Sequence, residues 1–527
     1  MNSISSSLNQ PEPAQETTRK APAQPSGLNQ PPPDVPSVDA NPVITPGQRI
    51  PIPILGVPLD KVTTADAIAR VEEMIASRRP HYMVTANVDF LVQAQEDIEL
   101  HHILFDAHLV LCDGTPLVWA SRWLGNSLPE RVAGADLVPL LIDLAERKGY
   151  RLFFLGATPV SAQRAMEKMM QRHPRLTIAG HYSPPFSKLL EMDHEEIKRR
   201  IREAHPDMLF VSFGCPKQEK WIAMHYQSLE VPVSVGVGAT IDFLAGEVRR
   251  APIWMQRSGL EWIFRLGQEP RRLFRRYVKD LWVFGWKIMA QSWLLRARRP
   301  SSAAAEGLKL SQRDDWQQLR VPQRLDLQMS VEQAPLLDQI MQDGRHCLLI
   351  LDAVEFIDST GVGMLIRLHK WLREQGRQLI LVAPTPPVQR ALHLMHLDSF
   401  FQLASDVEAA RRRLSGQTSQ ACTAPAGHSA TQHLRWQGEI TAANVEEVWS
   451  GTCQHFRQMT GRSEWIIDLG EVRFLDSSGL GLMLRVQKMA QRAGSRLVYS
   501  HAPPCVRNVV QLARLEKILL GAPDHKG

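Results

Sequence analysis

Val84-Thr-Ala-Asn87 and His108-Leu-Val-Leu-Cys-Asp-Gly-Thr-Pro116 decide how this chain is read. Each is an apolar, β-like run that ends on polar side chains. Thr85 and Asn87 close the first run. Asp113 stands just past the second, ahead of a Gly-Thr-Pro turn. A strand end beside such a turn holds a side chain at the rim of a sheet, where open α/β proteins bind ligands. A carboxylate held there can act as a general base. The same residue before Gly-Thr-Pro can also serve only as a helix cap.

Working outward, further short apolar runs occur at Arg151-Leu-Phe-Phe-Leu155, Met208-Leu-Phe-Val-Ser212 and Val231-Pro-Val-Ser-Val-Gly236. Together with His81–Thr85 and His108–Cys112 they predict five strands. Helical patterns lie between most of them, for example from Val160 to His173. That alternation predicts a largely parallel α/β domain.

With 527 residues the chain is too long for one ordinary domain. Its net charge of +6 is modest but concentrated: Arg249 to Arg299 holds 13 Lys or Arg against 3 acids. A local basic patch points to phosphates, nucleic acid or an anionic membrane. The six cysteines are scattered, without Cys-x-x-Cys or Cys/His ligand spacing, so neither structural zinc nor a disulfide framework is expected. No cofactor and no metal are expected. Met1-Asn-Ser-Ile-Ser shows no basic region leading into an apolar core, so no secretory leader is expected. No apolar run reaches the roughly 20 residues that span a bilayer.

The expected organisation is a Pro-rich disordered tail (1–48), an α/β core (49–250), a basic, Trp-rich helical appendage (251–299), a linker (300–313), a small α/β domain (314–414), a second linker (415–430) and a second small α/β domain (431–523). The last two are an internal repeat. Cys347-Leu-Leu-Ile-Leu-Asp-Ala-Val-Glu-Phe-Ile-Asp-Ser-Thr-Gly361 matches Trp465-Ile-Ile-Asp-Leu-Gly-Glu-Val-Arg-Phe-Leu-Asp-Ser-Ser-Gly479 without gaps. Each copy reads strand, strand, helix, strand, helix. Two copies of this length suggest tandem domains rather than a solenoid. The linker's lack of apolar periodicity predicts that the pair folds apart from the first domain.

The candidate site collects several elements of the first domain. Thr85 and Asn87 can bond sugar hydroxyls. Arg131, in Glu130-Arg-Val-Ala-Gly-Ala-Asp136, is a permanent cation suited to phosphate. Phe213-Gly-Cys-Pro-Lys-Gln-Glu219 places Lys217 and Gln218 after a strand. Gly156, Gly236 and Gly238, with Asp242, lie between strands and helices, where phosphate oxygens can approach backbone N–H groups. Tight turns need Gly for purely structural reasons as well. In the appendage, Arg272, Arg275, Arg276 and Lys279 share one helical face. Phe274, Val278, Leu281 and Ile288 lie on the opposite side. Five of the chain's 13 Trp fall between Trp254 and Trp293. A basic amphipathic helix with interfacial Trp lies on an anionic membrane surface. Nucleic acid is not an expected partner, because a groove binder does not need so large an apolar face.

These motifs bring a family into view. Thr85-Ala-Asn87, Asp113-Gly-Thr-Pro116, Arg131-Val-Ala-Gly134, Phe213-Gly-Cys-Pro-Lys-Gln-Glu219, Gly236-Val-Gly238 with Asp242-Phe-Leu-Ala-Gly246, Arg250-Ala-Pro252 and Gly259-Leu-Glu-Trp262 follow one another in order. So does Arg265-Leu with Glu269-Pro-Arg-Arg272. The segment from about Ile54 to about Arg276 resembles the WecG/TagA/CpsF glycosyltransferases. The resemblance implies a Rossmann-like domain and an inverting, metal-independent transfer. The donor would be a UDP-sugar carrying an N-acetylmannosamine-like, uronic acid or glucose-type residue. The acceptor would be a polyprenyl-diphosphate-linked sugar in surface or extracellular polysaccharide synthesis, and the enzyme would be peripheral on the cytoplasmic face of the cell membrane. It implies that Asp113 is the general base, that Thr85, Asn87 and Gln218 hold the sugars or the base, and that Arg131 contacts phosphate. It further implies that Asp242 contacts the donor ribose and that Arg265, Arg272 and Arg275 close over a diphosphate.

The repeats resemble STAS domains, the anti-sigma-factor-antagonist fold, through Asp358-Ser-Thr-Gly-Val-Gly363 and Asp476-Ser-Ser-Gly-Leu-Gly481. That resemblance implies that Ser359 and Ser477 are phosphorylation candidates for a serine kinase or anti-sigma-like partner. Asp-Ser-x-Gly can equally persist only as a helix cap on a docking module. The competing reading of the whole chain is a signalling scaffold with a degenerate transferase domain. The intact Thr-x-Asn, Asp-Gly-Thr and Lys-Gln-Glu elements favour the enzyme.

Overall fold

The computed structural model describes residues 50–247, 250–257, 260–268, 270–296, 308–312, 316–343, 345–398, 400–416, 422–423, 432–441, 444–457, 464–512 and 515–520. The expected tail and most of both expected linkers lie outside these residues. The chain enters through a short antiparallel hairpin, β1 (Ile52–Ile54) and β2 (Val57–Leu59). Then come α1 (Thr64–Ser77), β3 (His81–Ala86), α2 (Val88–Ala94), α3 (Ile98–Asp106), β4 (Leu109–Cys112), α4 (Thr115–Trp123) and α5 (Gly134–Lys148). The domain continues with β5 (Arg151–Gly156), α6 (Pro159–Arg172), β6 (Thr177–Tyr182), α7 (His194–Ala204), β7 (Met208–Ser212), α8 (Lys217–Leu229), β8 (Val233–Gly236) and α9 (Thr240–Ala245).

Six strands form one parallel sheet in the order β4-β3-β8-β7-β5-β6. Strands β4, β7 and β8 are buried along all or nearly all of their length, and β4 and β7 read as continuous apolar runs. Two apolar clusters lie on the two faces, one around Val84, Val110 and Val211, the other around Met83, Leu111 and Phe210. Local signals set the helix ends. Thr63 and Asp66 form a capping box for α1, and α5 stops at Gly149 with φ of 76°. All five expected strands are present. The edge strand β6 and the hairpin β1–β2 are additional.

The appendage forms α10 (Ile253–Arg257), α11 (Glu261–Gln268) and the long α12 (Pro270–Arg296). Phe284 and Ile288 of α12 are buried with the hairpin and α2, and Gln291 bonds the backbone of Pro53 and Leu55. Ile288 is thus a core residue, not part of the exposed apolar face expected for it. That face is instead Phe274, Val278, Leu281, Trp282, Trp286, Met289 and Trp293, all exposed.

The first repeat is a five-stranded sheet, ordered Gln402–Ala404, Leu379–Val382, His346–Ile350, Trp316–Arg320 and Lys309–Gln312. All neighbours are parallel except the last pair. Its edge strand Lys309–Gln312 falls inside the expected linker 300–313. The second repeat orders Cys422–Thr423, Gln432–Ile440, Glu464–Leu475 and Arg496–Ser500. Both carry a helix after the signature, Ser359–Glu374 and Ser477–Arg492. Among the described residues the first copy also has two helices, and the second copy one, between its first two long strands, which the expected order lacked. Nor does the first repeat stand apart. Phe105 of α3 and Leu295 of α12 lie in its apolar cluster, and Leu124 packs against it.

Candidate active site

The site lies along the carboxyl edge of the parallel sheet, where the loops after β3, β4, β7 and β8 converge. Asp113 follows β4 directly; its N–H donates to the Ala86 carbonyl at 2.8 Å. Its Oδ2 accepts the Gly134 N–H at 3.2 Å, at the start of α5. Burial pushes this carboxyl up to about 6, against the opposing pull of Arg131, the Gly134 bond and Arg265. Asp113 is not the cap of α4: the cap position is Gly114, without a side-chain bond. The carboxylate is held by the first N–H of α5 through one oxygen, and its proton affinity suits a base near neutral pH.

Thr85 is buried beside it, its Oγ1 3.1 Å from where a side chain on Gly134 would begin. Asn87 caps α2 through Oδ1, accepting the Phe90 N–H at 3.2 Å, and neighbours Gly114. Across the loop, Arg131 pairs with Asp136 at 2.7 Å and with Glu261 at 3.3 Å. Arg265 pairs with the same Glu261 at 3.1 Å and lies over the Phe243 ring. Arg250 reaches Asp136 at 2.7 Å and stands 3.9 Å from Glu261. Three guanidiniums thus surround Glu261, which is contributed by the appendage. Such a cluster can neutralise a diphosphate leaving group. Arg250 and Glu261 lie within the ordered motifs, but no local pattern marks either as a site residue.

Gln218 is buried, and both ends of its amide are engaged. Oε1 accepts the N–H groups of Gly214 (3.2 Å) and Gly238 (3.1 Å), and Nε2 donates to Glu219 at 2.7 Å. It braces the β7 and β8 loops against each other. Burial holds Glu219 up at about 7. Gly236 leaves room for this strut: a Cβ there would lie 2.6 Å from Gln218 Nε2. Gly156 has φ of 97°, and a Cβ would fall 2.4 Å from the Ser212 carbonyl, so close packing of β5 on β7 requires it. Lys217 turns to the Ser187 carbonyl at 2.6 Å, over the Phe213 and Phe186 rings. Asp242, raised by burial, lies on α9. Arg275 is exposed and lines a cleft of about 860 Å³ between α11 and α12. The side chain of Arg272 lies outside the described residues. Among the described residues no group of three His, Cys, Asp or Glu is placed to hold a metal.

In the repeats, Asp358 and Asp476 are helix caps, accepting N–H groups two or three residues on. Ser359 is buried and Ser477 half-buried.

A parallel α/β sheet whose carboxyl rim carries a base-like carboxylate beside clustered arginines fits the class of a group transferase. Residues 52–298 match the family described as glycosyl transferase WecG/TagA/CpsF family. Residues 308–410 match the STAS domain family and 423–521 the family described as Mlab, STAS domain. An N-acetylglucosaminyldiphosphoundecaprenol N-acetyl-beta-D-mannosaminyltransferase of Staphylococcus aureus (strain MW2) is 30% identical over 239 residues, 45% of this chain and 91% of that protein. Its counterpart in strain NCTC 8325 / PS 47 matches at the same identity and coverage. An anti-sigma-factor antagonist (STAS) domain protein from Planctomyces limnophilus, a solved structure, is 22% identical, covering 21% of this chain and 99% of its own, with a TM-score of 0.20. The chain belongs to the WecG/TagA/CpsF family of glycosyltransferases and carries two STAS domains after the transferase.

Proposed function

We propose that the enzyme moves an N-acetylmannosamine-type sugar from UDP to a polyprenyl-diphosphate-linked sugar, with inversion and without a metal. The observation that carries this is Asp113, a carboxyl raised to about 6 beside the Arg131–Arg250–Arg265 cluster. Asp113 takes the proton of the acceptor hydroxyl as that oxygen attacks the anomeric carbon. The bond to the UDP oxygen breaks on the opposite face, which inverts the centre. The arginines stabilise the charge building on the diphosphate, as a metal does elsewhere. Thr85 and Asn87 orient sugar hydroxyls, and Asp242 contacts the donor ribose. Gln218 acts by holding the two loops. The name of the Staphylococcus aureus relatives supports the choice of sugar and of lipid acceptor.

The enzyme works as a peripheral protein on the membrane that holds its acceptor. Among the described residues no helix is long and apolar enough to cross a bilayer. The exposed Trp-rich face of α12 supports docking on the surface instead. A panel of UDP-sugars against polyprenyl-diphosphate-N-acetylglucosamine, with chelator present, tests the reading. Transfer of an N-acetylmannosamine-type sugar is expected. Activity that disappears in chelator and returns with Mg²⁺ would remove the metal-independent step.

A further inference from the structure

The signature turns of both STAS domains face the transferase. Ser359 is 1% exposed, and its Oγ donates to the Leu124 carbonyl at 3.4 Å. Thr360 Oγ1 accepts from Asn126 Nδ2 at 2.9 Å, and Asn126 Oδ1 in turn accepts from Lys61. Further along the same helix, a Cβ on Gly363 would fall 2.1 Å from the Pro51 carbonyl. Lys370 Nζ donates to the Ala107 carbonyl at 2.7 Å, and Arg373 pairs with Asp106. In the second domain the Ser477 N–H donates to Glu99 at 2.7 Å. Between the two domains, His102 of α3 is stacked between Phe400 and Phe474 at 4.1 and 3.9 Å.

We propose that the partner of both Asp-Ser-x-Gly turns is the transferase domain of the same chain, and that docking of the first turn and an anionic group on Ser359 exclude one another. The contacts are side-chain specific and come from α3, the end of α4 and the hairpin. An anion on Ser359 would replace a donating hydroxyl with oxygens facing a carbonyl oxygen, in a space with no room for them. An external protein that reads this turn must first part the domains. The place of contact gives the docking a consequence. Ala107 precedes β4 and Leu124 follows α4, so the first STAS domain grips both ends of the segment that carries Asp113. Parting the domains frees both ends.

Hydrogen exchange on the full chain tests this, and its readout does not depend on which sugar is moved. Ser359→Glu should speed exchange by about tenfold or more in residues 98–107 and 120–126, as expected for local opening. The strands His346–Ile350 and Leu379–Val382 should stay protected. Unchanged exchange would overturn the proposal. So would increased protection, as when Lys61 swings to pair with the new carboxylate. Asn126→Arg approaches from the other side and should speed exchange in residues 359–370. If Ser359→Glu unfolds its own sheet, this second variant decides alone: unchanged exchange there overturns the proposal.

Discussion

Replacing Trp282, Trp286 and Trp293 with Ser should detach the enzyme from membranes while leaving its fold intact. The three rings are 77%, 67% and 74% exposed on one face of α12. A Trp side chain offers about 150–250 Å², so roughly 150 Å² of each faces water. At about 25 cal/mol per Å², full removal from water contributes ~4 kcal/mol per ring. A helix lying in the interface buries about half of that, leaving ~2 kcal/mol each. Three rings then carry ~4–6 kcal/mol, about 10³- to 10⁴-fold in partitioning at 1.4 kcal/mol per decade. Co-sedimentation with anionic vesicles measures it. The flanking Arg271 and Arg275 add an electrostatic part of about 1 kcal/mol each, which salt alone should weaken. Phe284 is the internal control: it is buried, so Phe284→Ser should lower stability and reveal nothing about the membrane face. Vesicle binding by the triple Trp variant equal to that of the wild type would refute the reasoning.

Further outcomes follow from the site. With Asp113 held at about 6, kcat/KM should rise about tenfold per pH unit below that value, bend near it and level off above it. Arg131→Gln removes a cation that lowers this value, so the acid limb should move up by about 1 unit; a limb that stays in place would dissociate Arg131 from Asp113. Burial holds Glu219 up at about 7, so folding favours its protonated form. Its contribution to stability is full below about 4.5 and is lost as pH rises through about 7. Denaturant midpoints for Glu219→Gln should therefore fall less than wild type between pH 5 and pH 8; equal falls would contradict that placement. Gly236→Ala drives a methyl into the Gln218 strut and should cost about 1–3 kcal/mol in the same assay. An unchanged midpoint would show the strut is not there.

The five expected strands were legible because they are largely buried and rich in apolar residues. β6 was not, because Thr177-Ile-Ala-Gly-His-Tyr182 is a half-exposed edge with no apolar run. On α12 the periodicity showed an apolar helix with a basic side. However, it carries two apolar arcs, and sequence does not say which one packs on β1–β2. Ile288 belongs to the packed arc, not to the exposed one. Asp113, Thr85 and Asn87 were legible as strand-end polar residues, and the structure brings them together. The Glu261 cluster was not, because its partners Arg131 and Arg250 lie in separate motifs joined only by folding. Gln218 and Gly156 looked like ligand contacts, while their geometry shows bracing and close packing. The burial of Ser359 depends on contact between domains more than two hundred residues apart, which no local pattern records.

Transfer of labelled N-acetylmannosamine from its UDP donor to polyprenyl-diphosphate-N-acetylglucosamine, compared between wild type and Asp113→Asn at saturating substrates, tests the central claim. Wild-type enzyme should form the glycosidic product. The Asn variant should bind the donor with unchanged affinity and turn over about 10²- to 10⁴-fold more slowly, the usual loss for a missing general base. Turnover by the variant within a fewfold of wild type would contradict the account.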